Sequence, residues 1–358
     1  MLVSDMAWWR VARGMALAGV FLAAGLSAAS LLAVEAQTTV LHTPFVIVTG
    51  STEGTYFPIG EAVAAIVSHP PGVSRCEKSG VCGPPGLIAS VRTSEGTIAN
   101  LLAVNAGTAD AGFAQSDIVR EAVAGQGAFR KAGKQTHLRV LASLFPEELQ
   151  LIAAKSAKIR SVADLAGKRV AIGPEGSGTN ETVRQVLSAY GVKLDRLKPD
   201  RDSPDTAALD FAKGKLDALF FIGGAPVPFI RDLLATGKAT LVPIAGAGRD
   251  RVLRQMKGLT AAGIPAGLYP GVGKTETVAL RAVLVVRDTA SNAVIYGVTQ
   301  ALFNPANRSI LTGSHRSAGF IRIDDAPRDP PAPIHPGAAP FYAGLSSLPK
   351  PVDASAEH

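Results

Sequence analysis

One unit recurs along the chain and constrains the fold more than any other feature: a short apolar β-rich run, a turn rich in Gly, Ser and Thr, then a helical pattern. Phe45-Val46-Ile47-Val48 runs into Gly50-Ser51-Thr52-Glu53-Gly54-Thr55, and apolar residues at Val63, Ala64, Ile66 and Val67 follow at helical spacing. Leu87 to Val91 leads into Thr93-Ser94-Glu95-Gly96-Thr97, and Ala109 to Ala114 into Gln115-Ser116-Asp117, each before another helix. Beyond residue 160 the unit returns. Arg169 to Ile172 enters Gly173-Pro174-Glu175-Gly176-Ser177-Gly178-Thr179, a helix spans Glu181 to Tyr190, and Leu216 to Ile222 meets Gly223-Gly224. Strands alternating with helices pair in parallel, because the helix carries the chain back to the same edge. The expectation is an α/β protein.

Three longer β-rich runs break the alternation: Leu138 to Leu144, Leu149 to Ala154 and Val278 to Val286. They divide the βα units into two series, which predicts two lobes, each a mostly parallel sheet flanked by helices, joined by two hinge strands. The corresponding bounds are 44–147 plus 282–345 for the first lobe, 148–281 for the second and 346–358 for a C-terminal tail. The Pro-rich stretch from Asp324 to Pro340 reads as an ordered wrap over the first lobe.

Residues 1–36 resemble an export signal. Arg10 and Arg13 precede nineteen uncharged residues, Gly14 to Leu32, and then the small-residue pattern Val34-Glu35-Ala36. Cleavage near Ala36 leaves a periplasmic chain starting near Gln37; the other reading is a retained anchor, since nineteen residues can just cross a bilayer. The only two cysteines, Cys76 and Cys82, lie six apart, either as a local disulfide suited to an oxidising compartment or as two free thiols. The net charge of +7 comes from scattered Lys and Arg rather than basic runs interleaved with aromatics, which argues against nucleic acid. Two Cys and six dispersed His do not suit a zinc site, and no metal is expected.

The turns are where chemistry can sit. At the carboxyl ends of parallel strands, helix N-termini present unpaired N–H groups and partial positive charge. No turn carries the Gly-Lys-Ser/Thr of a P-loop or Gly-x-Gly-x-x-Gly, so no nucleotide cofactor is expected. Glu175 interrupts the Gly-x-Ser-x-Gly nucleophile pattern around Ser177. His137 and His335 read as structural residues. Binding without catalysis is the better reading, with a hydrolase using Ser177 as the distant alternative.

Val48-Thr49-Gly50-Ser51-Thr52-Glu53-Gly54-Thr55-Tyr56-Phe57-Pro58-Ile59-Gly60 resembles the opening motif of the TAXI family of extracytoplasmic solute-binding proteins, the receptor subunits of one branch of TRAP transporters. Ser94-Glu95-Gly96-Thr97, Phe113-Ala114-Gln115-Ser116-Asp117, Gly176-Ser177-Gly178-Thr179 and Ile334-His335-Pro336-Gly337 are similar in the same order. The resemblance implies a type II periplasmic-binding fold that closes on a small carboxylate or amino acid, such as glutamate or glutamine, and delivers it to TRAP permease subunits. A receptor for an ABC importer or a sensor kinase is the alternative within the same fold. The cleft residues it implies are Ser51, Thr52, Thr55 and Tyr56; Ser94, Glu95 and Thr97; Gln115 and Ser116; and Ser177, Gly178 and Thr179. Glu95 stands where glycine is frequent in that family. It either pairs with Arg92 or meets a ligand ammonium, which would favour an amino acid or similar zwitterion over a dicarboxylate.

Overall fold

The computed structural model describes residues 42–346. The export segment, and all of the C-terminal tail but its first residue, lie outside the described residues.

Ten strands form one continuous sheet. The first series comprises β1 (Thr43–Val48), α1 (Tyr56–Val67), β2 (Leu87–Arg92), α2 (Thr97–Ala106), β3 (Ala111–Gln115) and α3 (Ser116–Ala124). Strands β2, β1 and β3 pair in parallel in that order, as the right-handed βαβ connection requires. After α3 comes β4 (Leu138–Ala154), and after the second series β10 (Thr275–Arg287), two long antiparallel strands that run through both halves. The second series is β5 (Arg169–Ala171), α4 (Gly178–Ala189), β6 (Lys198–Asp200), α5 (Pro204–Ala212), β7 (Ala218–Gly223), α6 (Pro228–Ala235), β8 (Ala239–Val242), α7 (Gly246–Gln255) and β9 (Thr260–Ile264). The path across the sheet is β2-β1-β3-β10-β4-β7-β5-β6, with β8 added to β4 and β9 to β10. This is the two-lobed α/β arrangement of the type II periplasmic-binding fold. The sequence predicts a sheet for each lobe; instead β4 and β10 join the strands into one continuous mixed sheet.

The runs Leu138 to Leu144 and Leu149 to Ala154 are one strand rather than two. Pro146 has no N–H for the ladder, and the register absorbs it: Arg281 faces Pro146 while Val283 faces Ser143, so Leu144 and Phe145 oppose the single residue Ala282.

Apolar residues from both faces of the sheet form the cores. Ile47, Ile59, Ile66, Phe113, Leu141 and Leu284 pack one face of the first lobe, and Leu101, Val104, Ile118 and Val140 the other. In the second lobe, Leu151, Val170, Val183, Val186 and Ile222 fill one face and Leu219, Phe221, Phe229, Ile230 and Tyr269 the other. Beyond β10, α8 (Asn292–Leu302), α9 (Arg308–Ser314) and α10 (Ala339–Ser346) cover the first lobe. The Pro-rich stretch lies along β4, where the Val140 N–H donates to Pro333 and the His335 N–H donates to Val140. His335 is fully buried there, its Nδ1 accepting the Gly337 N–H. His137 pairs with Asp288 at 3.0 Å, at the start of β4. The Sγ atoms of Cys76 and Cys82 stand at disulfide distance, 2.05 Å, in a small buried cluster with Val81. Among the described residues no helix is long and apolar enough to cross a membrane.

Candidate functional site

The glycine-rich turns after β1, β2 and β5 converge with the start of α5 and the end of β7 around a cavity of about 340 Å³. That volume suits a small solute. Of the expected site residues, Ser51, Thr52, Thr55, Tyr56, Ser94, Glu95, Thr97, Gln115, Ser177, Gly178 and Thr179 line it. Ser116 does not. It opens α3 with its side chain turned toward β10, and its Oγ accepts the Arg281 N–H at 3.4 Å. The strand-to-helix turn at Gln115 aims only Gln115 at the cavity, because successive side chains leave a strand on opposite faces.

The turns touch one another across the cavity. The N–H groups of Ile98 and Ala99 in the first turn of α2 donate to the Gly176 carbonyl at 3.0 and 3.2 Å. This approach requires glycine on both sides. Gly96 has φ +116° and Gly176 φ +89°, backbone conformations that residues with a Cβ rarely adopt. Gly178 faces Gln115 so closely that a Cβ there would collide with Gln115 Oε1.

The hydroxyls divide into two groups. Ser177 Oγ caps α4: it accepts the Asn180 N–H at 3.1 Å and donates to the Pro174 carbonyl at 2.7 Å. Thr179 Oγ1 accepts the Ile222 N–H at 3.3 Å and Thr97 Oγ1 the Gln115 N–H at 3.3 Å. Ser94 Oγ donates to Asn100 Oδ1 at 2.6 Å. These groups build the cavity wall. Thr55 Oγ1 and Gln115 Oε1 are different, buried at the cavity with no hydrogen-bond partner. Buried polar atoms are paired in the great majority of cases, and these two are exceptions.

Charge in the cavity is all of one sign. Glu95, Glu147, Asp202 and Asp205 line it, and no Lys, Arg or His does. Glu95 is exposed and forms no ion pair among the described residues; Arg92 Nη2 donates instead to the Thr108 carbonyl at 3.2 Å. Glu53 and Glu175 stand outside the cavity, Glu175 3.5 Å from Arg201. Glu147 is 1% exposed and accepts the Tyr56 hydroxyl proton at 2.7 Å. Burial, with Asp117 and Glu148 adding negative charge, holds its carboxyl well above the ordinary range. Tyr56 stacks on Phe113 with ring centroids 5.3 Å apart, and burial and Glu147 raise its own hydroxyl too. Burial alone raises Asp205, whose Oδ1 has no partner. Phe221 and Phe229, edge to face at 5.2 Å, form the apolar wall.

The sequence reading missed Glu147, Asp202, Asp205, Phe221 and Phe229. A signal existed for two of them. Glu147-Glu148 interrupts an otherwise apolar strand run, and Ser203-Pro204-Asp205 has the cap, proline and acid of a helix start. The phenylalanines look like core, because a cavity wall and a core share one hydrophobic pattern.

The profile of the NMT1-like family matches residues 47–344, from β1 through to α10. The chain belongs to the NMT1-like family. Solved structures similar to this NMT1-like chain include the alkanesulfonate-binding protein SsuA of Xanthomonas axonopodis pv. citri bound to MOPS, 17% identical with a TM-score of 0.47 over 80% of this chain and 86% of that one. A binding-protein component of an ABC phosphonate transporter from Pseudomonas aeruginosa is 13% identical, with a TM-score of 0.49 over 76% and 79% of the two chains. MatC of Rhodopseudomonas palustris, with bound malate, is 17% identical, with a TM-score of 0.49 over 76% of this chain and 88% of that one.

Proposed function

We propose that this chain is an extracytoplasmic solute-binding receptor that holds a small carboxylate or amino acid between two lobes and delivers it to the membrane subunits of a TRAP-type transporter. The observation that carries the reading is the convergence of three βα turns, two from one side and one from the other, on a cavity with two buried polar atoms left unpaired. We take the lobe bounds to be 44–147 plus 282–345 and 148–281, so that β4 and β10 are the hinge. A ligand stabilises closure only through contacts with both lobes. Thr55, Tyr56, Glu95 and Gln115 would supply one side and the first turn of α4 the other, where the N–H groups of Gly178 and Thr179 have no acceptor within the helix. The use of Ser177 Oγ as a helix cap favours binding over catalysis, since its one proton is donated to the Pro174 carbonyl of the preceding turn while it accepts the Asn180 N–H of α4.

Export with cleavage near Ala36 places this receptor in the periplasm, where the paired sulfurs of Cys76 and Cys82 would be stable. The deciding experiment is to denature protein purified from exporting cells and identify the released solute by mass spectrometry, with calorimetry of the emptied protein. The expected result is a stoichiometric small solute and compaction in solution scattering when it is restored. Co-purification with a multispan TRAP subunit, rather than with an ATPase-linked permease or a sensor kinase, is the expected partner result. Turnover of ester or amide substrates by wild type, lost in Ser177→Ala, would replace this reading with a hydrolase.

A further inference from the structure

The cavity has a charge pattern that restricts what can enter it. Four acidic side chains line it, of which Glu147 has its carboxyl held well above the ordinary range by burial, and no basic side chain does. A solute that is wholly anionic would bring like charges together in a partly desolvated space, where the interaction is stronger than in water. The ordinary account of an acidic residue early in a helix is that it complements the helix dipole while its oxygens face water. Asp205, in the first turn of α5, departs from that account: Oδ1 is cut off from solvent and accepts no hydrogen bond. Gln115, 3% exposed, also lines the cavity and has a second acceptor oxygen without a donor. Glu147 has its Oε2 tied to Tyr56 and no cation beside it. Both open acceptors require a donor, and the protein supplies none. The aromatic rings of Tyr56, Phe221 and Phe229 line the same space and accept a cation on their faces.

We propose that the solute carries a cationic nitrogen, as an amine, amidine or guanidine, which is held by the Asp205 carboxylate and the Gln115 carbonyl. The proposal rests on the receptor reading and narrows it: amino acids and organic amines are accepted, and dicarboxylates are excluded. Glu95 and Asp202, exposed at the rim, draw the cation in. The phenylalanine pair covers the solute's carbon body.

The test uses pairs of probes that differ in the charged nitrogen: glutamate against glutarate, and putrescine against 1,4-butanediol. Calorimetry on the emptied full-length mature protein should show at least one nitrogen-bearing member binding tenfold or more tighter than its partner. Asp205→Asn, which keeps shape and helix start, should weaken that member about tenfold, within the range for a lost hydrogen bond to a charged group. It should leave the nitrogen-free partner unchanged, and an unaltered melting curve shows that the variant folds. Gln115→Leu should act in the same direction. Glutarate or butanediol binding as tightly as its pair, or full affinity in Asp205→Asn, overturns the proposal. So does a released solute with no basic nitrogen, which leaves the receptor reading intact. Absence of both a released solute and any probe binding defeats the two together.

Discussion

The Ile98 N–H donates to the Gly176 carbonyl at 3.0 Å, joining the first turn of α2 to the turn before α4. The N-terminus of α2 is one of the positive helix ends that the sequence offers to a solute, yet in this arrangement a carbonyl of the facing turn occupies it. Closure therefore uses the same group that attracts anions. Tyr56 at the start of α1 and Gly178 and Thr179 at the start of α4 also line the cavity, and first-turn N–H groups have no acceptors in their own helices.

Gly178→Ala should weaken solute binding about tenfold or more and leave the unliganded fold intact. Its Cβ would collide with Gln115 Oε1 and stand 3.0 Å from Thr97 Oγ1, both across the cavity. The strain exists only when the turns meet, so scattering should show a more open molecule. Gln115→Ala in the same chain should restore closure. A double-mutant cycle measures that coupling.

Ser177→Ala should lower stability by about 1 kcal/mol, because its hydroxyl caps α4. The family resemblance instead implies a cleft residue, whose removal would weaken binding. Denaturant titration of the empty protein decides between the two, and Ser177→Asp, which keeps a capping oxygen, should retain the stability.

Tyr56→Phe should destabilise the protein by about 1–3 kcal/mol, the range for a buried acceptor left unpaired, since Glu147 loses its donor. Glu147→Gln keeps an acceptor for Tyr56 and removes the buried carboxyl, and it should cost less. Thermal melts of both variants check the order.

Stability should fall as pH rises from about 4 to 7. Asp117, at the start of α3, is pushed from 3.8 up to about 7 by burial, with Glu121 adding negative charge. Its Oδ1 is buried without a partner and its Oδ2 receives the Thr182 hydroxyl from α4 at 3.4 Å. Glu121 is raised in the same sense, by burial and by Glu181, while Gln185 donates to both carboxylates at 3.1 Å and Arg130 pulls the other way. Arg120 and Gly258 flank the site on the remaining side. Between pH 4 and 7 the folded state binds the Asp117 proton and the unfolded state releases it, so the Asp117 contribution declines with pH and levels off above 7. Asp117→Asn should flatten that slope in melts from pH 4 to 8; an unchanged slope assigns it to Glu147 or Glu121.

Reduction of Cys76–Cys82, or Cys→Ser at both, should cost about 2 kcal/mol, from the chain entropy released by a loop of this length. Intact mass with and without alkylation shows the bond, and melts with and without reductant give its effect. The loop rests on Asn304 and Asn307, which donate to Gly80 and Val81 at 3.0 and 2.7 Å, so the loss should remain local.

Periodicity carried the sequence reading as far as local order extends. The strands at Phe45 to Val48, Leu87 to Val91 and Val278 to Val286 and the helices behind the turns follow from apolar spacing and glycine placement, while the twelve expected cleft residues, eleven of which line the cavity, came from the family resemblance of the motifs that hold them. Each of those signals is complete within about ten residues. What an acidic or aromatic side chain faces is not local. Glu147 follows the register shift at Pro146 in the long strand β4, and Asp205 lies at the start of α5, yet both share the cavity with the turn that holds Glu95. Ser116 turns away because the strand pleat aims its neighbour Gln115 inward. The sign of the cavity, acidic with no basic side chain, was therefore decided by tertiary structure: burial and the meeting of distant turns determine which charges share one space, and no short-range pattern records that.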